Sequence, residues 1–202
     1  MKLYYVPGAC SLAAHIVLNE GGFSFEKEKV DLATRKTEAG LDFTAINPKG
    51  YVPALKLADG QVLTEVAALV QYLADCVPEK QLAPAAGSME RYRLQEWLNF
   101  ISTELHKSFG VLFNPKAPEE WKAGVKDVLA RRFEHVSTRL DGKRYLMGDA
   151  FSVADAYLFT VLGWGQWVAV DLTPWPVLTG YLARVADRAA VQATLRAEGP
   201  AG

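Results

Sequence analysis

A cysteine in the run Pro7-Gly8-Ala9-Cys10-Ser11 is the first residue placed for chemistry. Lys2 to Val6 before it reads as a strand, and Ser11 to Glu20 after it as a helix closed by Gly21-Gly22. Cys10 therefore stands at a helix start, where unpaired amides and the positive dipole end stabilise a thiolate. The same residue also reads as a buried apolar cysteine, the commoner fate of a lone thiol. No second cysteine follows in register in Cys10-Ser11-Leu12-Ala13, which excludes dithiol exchange at this position. The other cysteine, Cys76, ends a helix rich in alanine, valine and leucine and reads as buried and inert.

Three further groups could bind a ligand. Val52-Pro53 heads a strand, and a cis bond there would turn the Val52 amide and carbonyl toward an extended peptide. An ordinary trans proline entering an edge strand is the default for such a pair, since few X–Pro bonds are cis. Thr64-Glu65-Val66 opens a helix, where amides can hold a carboxylate and Glu65 an amine; simple capping by Thr64 is the plainer reading. Asn99, Thr103 and His106 are spaced i, i+4, i+7, so an α-helix puts them on one face. Phe113 continues that stripe and Phe109 lies beside it, joining polar and aromatic surface; a solvated helix face is the plainer reading here too.

The elements that carry these residues fall into two groups. The first runs strand, helix, strand (Phe23 to Val30), polar loop, strand (Tyr51 to Leu57), Asp59-Gly60 hairpin turn, strand (Gln61 to Leu63) and helix (Glu65 to Cys76). Val77 to Ser88 holds two prolines and one glycine and no periodicity, so it reads as a linker. Everything beyond is helical in pattern. Ser88 caps a long helix running to Asn114, and Pro118-Glu119-Glu120 opens the next, which runs to about Leu140. Ser152-Val153-Ala154-Asp155 is a capping box whose helix, through Val168, is apolar on nearly all sides and belongs at a core. Shorter helices follow near 176–187 and 190–197. The domains expected are 1–80, a linker at 81–87, and 88–202.

Composition narrows the function classes. The formal net charge of −1 over 202 residues gives no electrostatic footprint for nucleic acid or an anionic membrane. No apolar run approaches a membrane span, and Met1-Lys2-Leu3-Tyr4-Tyr5 is not a signal peptide, so a cytoplasmic location with reduced thiols is expected. Two cysteines build no disulfide framework, and His15, His106 and His135 lie too far apart in sequence for an evident metal site.

Five segments in this order, YYVPGACSLAAHIVL, NPKGYVPALKL, LTEVAALVQYLAD, WLNFISTELHKSF and FSVADAYLFTVLGW, make the chain resemble the bacterial beta-class glutathione S-transferases over essentially its whole length. The resemblance implies an α/β thioredoxin-like N-terminal domain plus an all-α C-terminal helical domain, the glutathione transferase fold. It also implies a homodimer and glutathione as co-substrate, without metal. Carried over by motif, Cys10 resembles the thiol beside the glutathione sulfur, and Val52 the residue before cis-Pro53 that pairs with the tripeptide backbone. Glu65 and Val66 resemble the pair holding the γ-glutamyl end. Asn99, Thr103, Glu104, His106 and Lys107 resemble the helix residues completing the site, some of them reaching glutathione in the partner subunit. Arg35 stands where members often have lysine; it keeps a charge for the glycyl carboxylate but offers a fork in place of a point. Val66, where glycine or serine is usual, offers an amide but no hydroxyl.

The activity implied is addition of the glutathione sulfur to a hydrophobic electrophile. Cys10, the helix start and His106 would favour the glutathione thiolate, and Tyr5, Phe109, Phe113 and Trp164 would face the electrophile, although aromatics in these patterns are more often core. A glutathione-dependent thiol transferase using Cys10 in a mixed disulfide is the redox alternative. A carrier of apolar ligands and a protein-binding regulatory module are the alternatives without catalysis, and the joint presence of Cys10, Glu65 and His106 argues against the last.

Overall fold

The computed structural model describes residues 1–199 and divides into two compact units. The first contains residues 1–83 together with residues 188–199; the second is Pro84–Asp187.

In the first unit, strands β1 (Lys2–Tyr5), β2 (Glu26–Asp31), β3 (Lys36–Thr37), β4 (Ala54–Lys56) and β5 (Val62–Thr64) form one sheet in the order β3-β2-β1-β4-β5. β1 and β2 are parallel, with Leu3 opposite Lys27, as a crossover through helix α1 (Ser11–Glu20) requires. β4 runs antiparallel to both β1 and β5, placing Leu55 beside Leu3 and Leu63. Gly60, at φ +88, makes the β4–β5 turn that Asp59-Gly60 signalled. β2 starts at Glu26, so Phe23 and Phe25 precede the strand: Gly21-Gly22 make the turn and residues 23–25 are irregular, which the alternation of the two phenylalanines concealed.

Alternation along β1 splits its side chains between two layers. Tyr4 joins Val30, Phe43, Val52 and Ala54 in one buried cluster. Tyr5, on the other face, meets the ring of His15 on α1 at 6.1 Å. Helix α1 is buried at every position from Ser11 to Leu18, because α2 (Val66–Cys76) and α8 (Ala189–Glu198) both pack on it. Each of Leu12, Ile16, Val17 and Leu18 contributes about 1.5–3 kcal/mol there. Helix α8, grouped by periodicity with the helical domain, thus belongs structurally with the sheet.

The second unit is helical. Ser88 caps α3 (Met89–Phe100) by accepting from the Arg91 amide at 3.1 Å. The helix then passes through a π-helical turn, Ile101–His106, into α4 (Lys107–Leu112). α5 (Glu119–Leu140) starts after Pro118. α6 (Val153–Gly163) is buried from Val153 to Leu162 except at Phe159, as an all-round apolar helix must be, and ends in a 3₁₀ turn, Trp164–Trp167. α7 (Pro176–Ala186) completes the unit. The capping box is present: the Asp155 carboxylate accepts from the Ser152 amide at 2.9 Å and hydroxyl at 2.8 Å. It also takes the Leu146 amide at 2.9 Å and the Tyr181 hydroxyl at 3.0 Å, so it joins a loop and two helices. Burial pushes this carboxyl up, and the four donors pull it back.

Candidate functional site

The thiol loop is built by short-range hydrogen bonds. Gly8 turns the chain at φ +72, a conformation open to glycine. The Ser11 hydroxyl, at 3.1 Å in each case, accepts from the Val6 amide and donates to the Val6 carbonyl, closing the loop under Cys10. Cys10 is the N-cap of α1, half-buried, and its Sγ donates to the Val52 carbonyl at 3.1 Å. The Val52–Pro53 bond is cis, against the default reading of the sequence. That bond brings the Val52 carbonyl to the thiol, so two separate motifs meet at one point. Cys76 corrects another expectation: it is exposed, not buried.

Glu65 precedes α2 with φ 67 and ψ 115, where a residue with a Cβ is strained by about 1–3 kcal/mol. Neither Thr64 nor Glu65 caps the helix as expected: Thr64 ends β5, and no side chain caps α2 at Glu65. The Glu65 carboxylate instead takes the Lys49 ammonium at 2.5 Å and the Tyr51 hydroxyl at 2.7 Å on Oε1. Lys49 also donates to the Thr64 hydroxyl at 3.0 Å. Val66, the first residue of α2, is buried. Arg35 is exposed at φ 56, its carbonyl accepting from the Phe43 amide at 2.9 Å. Tyr5 is buried beneath the Lys27 ammonium, 5.2 Å from its ring, and burial raises its phenol.

In the second unit, the π turn slips the hydrogen-bond register by one residue. The straight i, i+4, i+7 stripe expected from an α-helix is therefore broken. Asn99, Thr103 and Lys107 are exposed, whereas His106 is half-buried. The Thr103 hydroxyl bonds back to the Asn99 carbonyl at 3.1 Å, and Glu104 pairs with Arg132 at 2.6 Å. His106 Nδ1 lies 2.7 Å from the Tyr157 hydroxyl. That contact sets which ring nitrogen carries the proton. Trp164 holds three rings edge-on: His106 at 4.8 Å, and Phe109 and Phe113 at 5.9 Å each. Phe109 and Trp164 are buried, and Phe113 is 45% exposed, so of these rings Phe113 offers the open apolar surface. Tyr157 escaped the sequence reading. Its only signal was a phenol hydroxyl in the middle of a mostly apolar helix.

Among the described residues no cluster of histidines, cysteines and carboxylates could hold a metal ion. Among these residues, too, no helix is long and apolar enough to cross a membrane.

Both units match known sequence families. Residues 8–76 match the glutathione S-transferase N-terminal domain, and residues 100–189 the C-terminal domain. The chain is 48% identical to glutathione S-transferase GstA of Escherichia coli O157:H7, covering 98% of this chain and 99% of that one. A sphingomonad glutathione S-transferase solved in complex with glutathione superposes with a TM-score of 0.95 at 49% identity, over 98% of this chain and 99% of that one. The beta-class enzyme of Sphingomonas chungbukensis gives a TM-score of 0.95 at 47% identity over the same shares, 98% and 99%. Both halves of the chain thus match, in sequence and in fold, and the chain belongs to the glutathione S-transferase family.

Proposed function

We propose that this enzyme binds glutathione against its sheet-containing unit and adds the glutathione sulfur to hydrophobic electrophiles, as a cytoplasmic, detoxifying homodimer. The observation that carries the reading is the meeting of Cys10 with the Val52 carbonyl at the cis-Pro53 strand. An extended peptide laid along that strand places its own sulfur beside Cys10 and the start of α1. The helix amides and dipole there favour a thiolate, which is the form that attacks. Glu65 and the first amides of α2 take the γ-glutamyl end, and Arg35 the glycyl carboxylate. His106, oriented by Tyr157, assists the sulfur, and exposed Phe113 beside Trp164 contacts the electrophile. Glu104 and the exposed Asn99, Thr103 and Lys107 complete the glutathione site, some of them in the partner subunit. Partial exposure of Cys10 favours one second activity, thiol transfer. There the Cys10 thiolate attacks a glutathione disulfide, forms a mixed disulfide and releases one glutathione thiolate.

Two measurements test the main reading. At 100 times its Kd, glutathione stabilises the fold by about 2.7 kcal/mol, which appears as a rise in melting temperature. Conjugation of glutathione to an aryl halide should follow in the same preparation. A protein that neither melts later with millimolar glutathione nor turns over the halide does not have this function.

A further inference from the structure

Two titratable groups of the first unit are buried and take no part in the proposed chemistry. His15 on α1 and Glu198 on α8 are each 2% exposed at the side chain, and His15 Nδ1 lies 2.8 Å from Glu198 Oε1. The imidazole is itself fixed, with the rings of Tyr5 and Phe25 edge-on to it at 6.1 and 5.4 Å. A buried pair of this kind is weak evidence of stability, since an apolar pair of similar volume often serves as well. The second carboxylate oxygen is the more informative one. Glu198 Oε2 accepts from the Gly8 amide at 2.9 Å. Gly8 belongs to the short loop between β1 and α1 that presents Cys10.

That loop is held at three levels. Ser11 fixes Val6 at its base, and the Val52 carbonyl meets the Cys10 thiol at its head. Glu198 holds Gly8 between them, and of the three it comes from farthest along the chain. The thiol contact tolerates little displacement: moving the loop by about 1 Å takes Sγ out of hydrogen-bond reach of Val52, and shifts of that size cost catalytic sites about 100-fold.

We infer that Glu198 is a positioning residue for Cys10. From the last helix it sets the thiol loop through the Gly8 amide, and His15 is the fixed strut behind it. Its effect on turnover rests on the glutathione reading; its hold on the loop does not. Reach and acceptor geometry matter here, and charge does not. Glutamine can therefore replace it, its carbonyl accepting from Gly8 and its amide donating to Nδ1 of the other imidazole tautomer. Aspartate keeps the charge but is one methylene short of spanning both partners.

The test joins hydrogen exchange of the segment 6–10, read by mass spectrometry, to steady-state conjugation of glutathione to an aryl halide. Both are run on the full chain, below the melting temperature of every variant. Glu198→Ala should speed exchange in the segment and lower kcat, each about tenfold, the scale of one lost buried hydrogen bond. KM for glutathione should stay near the parent's, because the ends of the tripeptide are held elsewhere. Glu198→Gln should keep both readouts near the parent's. Glu198→Asp should move both in the direction of Glu198→Ala, and it carries the test if the alanine variant does not fold. Arg188→Ala is the control: it breaks the pair with Glu20 between the same two helices, so it should melt earlier yet leave segment 6–10 and kcat unchanged.

Parent-like exchange and kcat in Glu198→Ala would overturn the inference. So would faster exchange with kcat unchanged, because the loop would then be ordered without the thiol being placed. Equal losses in Arg188→Ala would assign the effect to helix stability, and an impaired Glu198→Gln beside a parent-like Glu198→Asp would assign it to charge. A parent that neither binds nor consumes glutathione sinks the functional reading separately, and exchange alone then decides whether Glu198 holds the loop.

Discussion

His15 Nδ1 lies 2.8 Å from Glu198 Oε1, joining the first helix to the last across 183 residues of sequence. Both side chains are 2% exposed. The other carboxylate oxygen accepts from the Gly8 amide at 2.9 Å, two residues before the thiol. Arg188 grips Glu20 near the opposite end of the same two helices, at 2.6 and 2.8 Å.

Glu198→Ala removes the acceptor that His15 and Gly8 share. Leaving a buried donor without its acceptor costs about 1–3 kcal/mol. Thermal unfolding should show a melting temperature lower by several degrees. Glu198→Gln, which keeps an acceptor, should lose less. Equal stability of Glu198→Ala and the parent would mean that the pair contributes nothing.

Tyr157→Phe keeps the ring packing of α6 and deletes the hydroxyl at His106. A hydrogen bond of this kind is worth about 1 kcal/mol, so kcat/KM for glutathione should fall about fivefold. His106→Ala should lose at least as much. The double variant should lose little more than His106→Ala alone, because the hydroxyl acts through the imidazole. Additive losses would show that Tyr157 acts independently.

The two cysteines should separate by ligand, not by access. Cys76 is exposed and Cys10 half-buried, so iodoacetamide should reach both. Glutathione should slow alkylation of Cys10 and leave Cys76 unaffected, with peptide mass spectrometry as the readout. A glutathione-disulfide adduct formed on Cys10 should disappear with dithiothreitol. Labelling of Cys10 that ignores glutathione would move the binding site elsewhere.

The acid limb of stability should depend on Glu28. The Thr37 hydroxyl, with the Lys2 ammonium at 3.1 Å, holds this carboxyl below its usual range. A carboxyl lowered in the folded state contributes stability above its unfolded value, and that contribution is lost as pH falls through the folded one. Glu28→Gln should therefore be less stable at pH 7 and should lose less on acidification. Parallel melting profiles from pH 7 down to about pH 2, a window that passes below the ordinary carboxylate range, would contradict this.

Local signals carried much of this architecture. Helix α1 spans Ser11–Glu20 as its periodicity and closing glycines predict, and Ser88, Pro118 and the Ser152–Asp155 box mark their helix starts. These features depend on neighbours within four residues. What escaped depends on distant ones. Nothing within Tyr51-Val52-Pro53 selects the cis isomer, and Glu65 adopts its positive φ where Lys49 and Tyr51 hold its side chain. The π turn at Ile101–His106 has no local marker, yet it breaks the stripe that drew attention to Asn99, Thr103 and His106. The resemblance to known transferases supplied the site's membership. It could not supply Tyr157 or Glu198, whose roles come from contacts alone.

The return of α8 to the sheet has a consequence for the order in which the chain matures. The helical unit, Pro84–Asp187, is inserted between the two pieces of the first unit. During synthesis at about 5–20 residues per second, the stretch through Cys76 leaves the ribosome about 5–20 s before Glu198 exists. Throughout that interval the Gly8 amide and His15 lack the carboxylate that joins them. The carboxylate that ties the thiol loop to α1 is thus among the last groups of the chain to be made, after the whole of the inserted helical unit.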